Sequence, residues 1–81
     1  MVEVKLWAGL RPLADNQDMV RVEARTIREM LRKLAERYPG LEGPIRDQVA
    51  VAIDGVIYRN DWSRELPEGA EVMLMRRLAG G

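Results

Sequence analysis

Two glycines, Gly80-Gly81, close the chain behind Ala79, and here residue type and position together suggest chemistry. Glycine makes up about 7% of average sequences, so a terminal pair arises by chance in roughly 0.5% of chains. Without a Cβ, such an end can thread a narrow channel and place its carboxylate where a bulkier end would clash. The reactive group would then be the main-chain carboxyl of Gly81, presented to another protein's active site. Taken alone, the pair is equally consistent with a frayed terminus. The elements that precede it decide between the two.

Side-chain catalysis has few residues to draw on. Among 81 residues there is no Cys and no His. That removes a thiol nucleophile, a Ser-His triad, an imidazole base and a typical zinc site. Asp15, Asp18, Asp54 and Asp61 are scattered through turns without metal-loop spacing, so no metal is expected. No stretch resembles a phosphate-binding glycine loop. The 13 basic and 13 acidic residues cancel, and with them goes the field that favours nucleic acid or an anionic membrane. The longest aliphatic run, Val49–Ile53, is far short of the ~20 residues a membrane span needs. The start, Met1-Val2-Glu3-Val4-Lys5, has no basic region followed by an apolar one. No nucleic-acid and no membrane partner is expected, and the expected compartment is the cytoplasm. With 47% hydrophobic and 32% charged residues, residues 1–81 read as one folded domain.

Val2, Val4 and Leu6 alternate with Glu3, Lys5 and Trp7, the period of a strand with one apolar face. Gly9 to Asp18 reads as a loop. Val20 and Val22 mark a second strand, which makes a hairpin with the first. Thr26 followed by Glu29 is a capping box. Ile27, Met30, Leu31, Leu34, Ala35 and Tyr38 then recur at helical spacing, and Pro39-Gly40 stops the helix. Leu41 to Asp47 reads as a connector. Gln48 to Ile53 is a third strand, Asp54-Gly55 a hairpin turn and Val56-Ile57-Tyr58 a short return strand. Trp62 reads as a cover for one end of the core rather than a nucleic-acid platform with Tyr58. A last strand over Val72 to Met75 leads into the tail, about residues 77–81, expected to be flexible.

With no second helix expected, one long helix must cover the single apolar face of the sheet. The first and last strands then lie parallel in the middle, with the helix in a right-handed crossover. The predicted class is α+β: a β-grasp, the architecture of ubiquitin, with a mixed four- to five-stranded sheet packed on one main helix. In such a fold the end of the last strand projects the tail. If Val2, Val4, Val51 and Val72 face the helix, then Trp7, Ala50, Ala52, Met73 and Met75 face away from it. Small alanines beside methionines make a flat, adaptable apolar surface. Together with Arg76 and Arg77 this face is the expected docking surface for partner proteins.

The helix segment Thr26–Leu34 (Thr-Ile-Arg-Glu-Met-Leu-Arg-Lys-Leu), the turn Val51–Gly55 (Val-Ala-Ile-Asp-Gly), the stretch Leu66–Val72 (Leu-Pro-Glu-Gly-Ala-Glu-Val) and the Ala79-Gly80-Gly81 end carry a resemblance over nearly the whole chain. It resembles the MoaD/ThiS family of ubiquitin-like sulfur carriers. The resemblance implies no catalytic residue of its own and no bound cofactor. An E1-like adenylating enzyme of the MoeB/ThiF kind would use ATP and magnesium to adenylate Gly81. A persulfide sulfur would then displace AMP and leave a thiocarboxylate. The loaded tail, Ala79, Gly80 and Gly81, would enter a sulfur-acceptor enzyme, MoaE-like or other. The chain would thus be a carrier and co-substrate, such as the small subunit of molybdopterin synthase, and a monomer when free. Molybdopterin-type members often carry prolines before Ala-Gly-Gly; here Arg76-Arg77-Leu78 stands instead, closer to the ubiquitin end. Thiamin synthesis and tRNA thiolation therefore stay open beside a molybdopterin-type role. So do conjugation of Gly81 to target lysines and a non-catalytic β-grasp binding module, in which Gly80-Gly81 would be dispensable.

Overall fold

Alternation of valine with charged residues does at the N-terminus what the sequence predicts. In the computed structural model, which describes residues 1–59 and 61–77, β1 (Val2–Leu6) buries Val2, Val4 and Leu6 and exposes Glu3 and Lys5. It pairs antiparallel with β2 (Met19–Val22), Val4 opposite Val20. It pairs parallel with β5 (Glu71–Arg76), Val4 beside Val72 and Leu6 beside Leu74. On its other side β5 pairs antiparallel with β3 (Val49–Ile53), Leu74 opposite Val51. A turn at Asp54-Gly55 joins β3 to β4 (Val56–Tyr58). Both turn residues have positive φ, 48° and 91°, as a two-residue hairpin of this kind requires. The five-stranded order is β2-β1-β5-β3-β4, the predicted β-grasp.

Helix α1 (Ile27–Arg37) lays Ile27, Met30, Leu31 and Leu34 on one face of this sheet, and all four are buried. They close over Val2, Val4, Leu6, Val51, Val72 and Leu74 in one core. Thr26 caps the helix: its Oγ1 accepts the Glu29 N–H at 3.2 Å. The Glu29 carboxylate reaches back to the Arg25 N–H at 2.7 Å. Lys33 and Arg37, on the polar face, donate to the carbonyls of Glu23 and Arg21 at 2.6 and 3.2 Å. They thereby tie the helix to the edge strand β2.

Two connectors contain more structure than their sequences suggest. Within the expected loop Gly9–Asp18, Ala8–Ala14 forms a 3-10 helix that buries Leu10 and Ala14. The expected connector Leu41–Asp47 holds a 3-10 turn, Pro39–Leu41, and a second helix, α2 (Glu42–Asp47), braced by an Arg46–Glu42 ion pair at 2.8 Å. Both are too short to show a helical period, and Pro12 and Pro44 mask them. The expectation of one helix alone is therefore corrected. α2 buries none of its own residues, so α1 still covers the sheet. Trp62 packs against the core as expected, and the Arg64 guanidinium lies 4.8 Å from the Tyr58 ring centroid. Among the described residues no helix is long and apolar enough to cross a membrane.

The cap yields a pH-dependent prediction. The hydrogen bond from the Arg25 N–H holds the Glu29 carboxyl below its usual value. A folded-state pKa below the unfolded one means stabilisation that is complete above the unfolded pKa and lost as pH falls through the folded value. Glu29→Gln should lower the urea midpoint at neutral pH, and the gap to the parent chain should close on acidification. Thr26→Ala should cost about 1 kcal/mol across the same pH range.

Candidate functional site

Ala79, Gly80 and Gly81, the tail expected to carry the chemistry, lie outside the described residues. The structure does define what precedes them: the end of β5 and the sheet face turned away from α1. Alternation along β5 buries Val72 and Leu74 on the helix side and turns Glu71, Met73 and Met75 outward. Register then places Ala52 opposite Met73 and Ala50 opposite Met75, with Ile57 opposite Ala52 one strand further out. Lys5 lies beside Met73 on the other flank.

The result is a shallow apolar groove of about 360 Å³ lined by Ala52, Ile57, Met73 and Met75, with Lys5, Asp54 and Glu71 at its rim. Met73 and Ile57 are 42% and 54% exposed, and it is their place together in one groove, not single exposure, that makes them notable. Lys5 and Glu71 pair at 3.1 Å. At the tail end of the face a smaller recess is lined by Ala50, Ile57, Arg59, Met75, Arg76 and Arg77. It holds three cations and no acid, so the face is polarised along its length.

Four of the expected docking residues need qualification. Ala50 has the outward parity but is 5% exposed; it forms the floor of the small recess and offers a partner little area. Trp7 is half-buried against the core. It lines a neighbouring recess with Lys5, Arg11 and Met73, so it borders the face without standing on it. Its indole also explains Gly9: a Cβ there would sit 2.5 Å from Trp7 Nε1. Arg76 pairs with Val49 and has the parity of Leu74, so it lines the small recess from the strand end without the outward parity of Met73 and Met75.

Arg77 differs most from a free cation at the start of a tail. Its N–H donates to the Gln48 carbonyl at 2.6 Å, which extends the β5–β3 ladder by one residue. Its Nη2 donates to the carbonyls of Val49 and Arg59, at 3.3 and 3.0 Å. One side chain thereby links the start of β3 to the residue after β4. Its Nε is buried without a hydrogen-bond partner among the described residues, at a cost of about 1–3 kcal/mol. Sequence reasoning missed Ile57, Lys5 and Glu71 as members or borders of the face. A three-residue strand is too short to assign Ile57 a side, whereas Lys5 and Glu71 follow from strand alternation once the register is fixed.

Burial separates two substitutions on this surface. Ala50→Asp places a carboxylate in a closed recess and should destabilise the chain by about 1–3 kcal/mol or more. Met73→Asp, at an exposed position, should stay within about 0.5 kcal/mol of the parent. Urea denaturation of both variants measures the difference.

Comparison with known proteins agrees with this architecture. The model of the ThiS family matches residues 4–81. No curated protein matches the chain by sequence. Among solved structures, CysO of Mycobacterium tuberculosis superposes with a TM-score of 0.85 at 17% identity, covering 96% of this chain and 100% of that one. Small archaeal modifier protein 1 of Haloferax volcanii gives 0.75 at 27% identity, covering 99% and 98%. A chain from the complex of subunits 1 and 2 of molybdopterin-converting factor of Helicobacter pylori, at 20% identity, gives 0.68 and covers 99% and 97%. The family match over nearly the whole chain, with solved structures that agree in fold, leads to one conclusion: the chain belongs to the ThiS family of ubiquitin-like sulfur carriers.

Proposed function

We propose that the chain is a cytoplasmic sulfur carrier whose reactive group is the carboxyl of Gly81. The observation that carries this reading is the family match through residue 81, in a chain whose last strand ends at Arg76. The reactive residues thus follow directly on the strand that holds the apolar groove. A carboxylate is a poor electrophile, so the partner must activate it. The Gly81 carboxylate attacks the α-phosphorus of ATP, bound with magnesium in an E1-like enzyme, and pyrophosphate leaves. The terminal sulfur of a persulfide attacks the acyl-adenylate carbon and AMP leaves. A second thiol then cleaves the S–S bond, forming a disulfide and freeing the thiocarboxylate. The thiols belong to partner proteins, since this chain has no Cys.

The groove at Met73 and Ile57 is the docking surface in this reading, for the activating enzyme and for the acceptor in turn. A molybdopterin-type acceptor, MoaE-like, is the first to test, because in the Helicobacter pylori pair a chain of this fold is bound to a second subunit. Thiamin and tRNA thiolation use the same loaded end. A second reading, conjugation of Gly81 to lysines, is supported by the likeness to the Haloferax modifier at 27% identity and by Arg76-Arg77 before the tail.

Incubation with a MoeB/ThiF-type enzyme, ATP, magnesium and a persulfide donor should add the mass difference of one oxygen replaced by sulfur. Deletion of Gly81 should abolish that gain. High-mass adducts in cells would favour the modifier. No mass change in either setting would reject activation at Gly81 and leave a binding module. Met73→Asp should lower the adenylation rate at least tenfold while leaving the urea midpoint near the parent's, a drop equal to about 1.4 kcal/mol in the barrier.

A further inference from the structure

We infer that Arg77 is a positioning residue for the tail, clamped onto its own chain, and not a cation offered to the partner. The inference rests on the reading of Gly81 as the activated end. Three hydrogen bonds define the clamp. The Arg77 N–H meets the Gln48 carbonyl, and Nη2 bridges the carbonyls of Val49 and Arg59. These carbonyls lie 28 and 18 residues away in sequence, one at the start of β3 and one just past β4. Arg77 therefore joins three consecutive strands of the sheet at the point where the last strand stops.

The consequence is geometric. Arg77 N–H continues the β5–β3 ladder, so the backbone direction at residue 77 is set by the sheet. Four residues, 78–81, follow it in the sequence. At ~3.3–3.6 Å per extended residue they reach at most about 14 Å. A carboxyl that must meet a phosphate in a docked enzyme gains from a root with fixed position and direction, because orientation paid for before docking is not paid at the reaction step. Releasing Arg77 removes that fixed direction at the last described residue. The groove keeps Ala52 and Met73 on that release, since both lie beyond the recess that holds Arg77, whereas Ile57 and Met75 line the groove and the recess alike.

Arg76 is the internal control. It is adjacent, equally charged and exposed, and among the described residues it makes no side-chain hydrogen bond or ion pair. If charge near the tail is what a partner reads, Arg76→Ala and Arg77→Ala should behave alike. If the clamp matters, they should differ.

Two measurements test this. In the free chain, 15N relaxation should give Arg77 a backbone order parameter close to the rigid value of about 0.85, and Arg77→Ala should drop it toward about 0.6 with Met73 and Leu74 unchanged. A parent value already in the flexible range would overturn the inference whatever the function of Gly81. With a MoeB/ThiF-type enzyme, ATP–pyrophosphate exchange should show Arg77→Ala lowering kcat about tenfold with KM for the carrier within about twofold. Arg77→Lys, which keeps a cationic nitrogen with N–H donors for these carbonyls, should recover part of the loss. A raised KM with unchanged kcat would make Arg77 a docking cation, and unchanged values of both would make the clamp irrelevant to activation. Absence of exchange with the parent chain would sink the reading of Gly81 while the relaxation result still decides the clamp.

Discussion

Everything in this molecule is referred to β5. It lies between β1 and β3, parallel to one and antiparallel to the other. Each of its residues faces a different requirement. Val72 and Leu74 close the core under α1, Met73 and Met75 build the outer groove, and Arg77 closes the ladder after it. Because side chains alternate with period two, a one-residue slip would bury the methionines and expose the core. The register is held from both sides, by Val4 beside Val72 and by Val51 opposite Leu74. Folding stability and the presentation of the outer face thus depend on one register.

Cations that contribute little as surface ion pairs act here through main-chain oxygens. The Leu6 N–H bonds the Asp18 carbonyl, which by antiparallel alternation turns the carbonyls of Arg21 and Glu23 away from β1. Those are the two that Arg37 and Lys33 occupy. The polar face of α1 therefore covers the open edge of β2, a place where unpaired strands invite association. Arg77 does the same at the opposite end of the sheet, for carbonyls of β3 and of the residue after β4. The other edge, β4, is only three residues long and leaves Val56 and Ile57 54% exposed each. Short length is its protection.

The strand order was legible because each strand carries its own period. Val2-Val4-Leu6 and Val49-Val51-Ile53 bury as they alternate, and Thr26 with Glu29 marks the start of α1 to the residue. The outer face was legible in part. Parity places Ala52, Met73 and Met75 correctly but says nothing of depth, so Ala50 looked exposed and is buried. It also gives Arg76 the parity of Leu74, which composition alone did not suggest. The Arg77 clamp has no sequence signature at all. Its acceptors are main-chain carbonyls, which every residue possesses, brought near by the fold. The 3-10 segment Ala8–Ala14 and α2 escaped for a related reason: their stability comes from Leu10, Ala14 and the neighbouring Leu41 entering a shared core, not from a local pattern.

A small carrier gains a specific advantage from this arrangement. A standard interface covers about 800 Å² on each partner, and the chain exposes 5212 Å² in all, so an enzyme engages roughly a sixth of it. Under the proposed function, that footprint would include both the groove at Met73 and the residue from which the Gly81 end departs. Met73 and Arg77 are four residues apart on one continuous strand and its extension, about 13 Å at 3.3 Å per residue. Both fall within one such footprint without any movement of the body. Under the proposed function, successive enzymes would recognise the same face and differ only in what they do at Gly81.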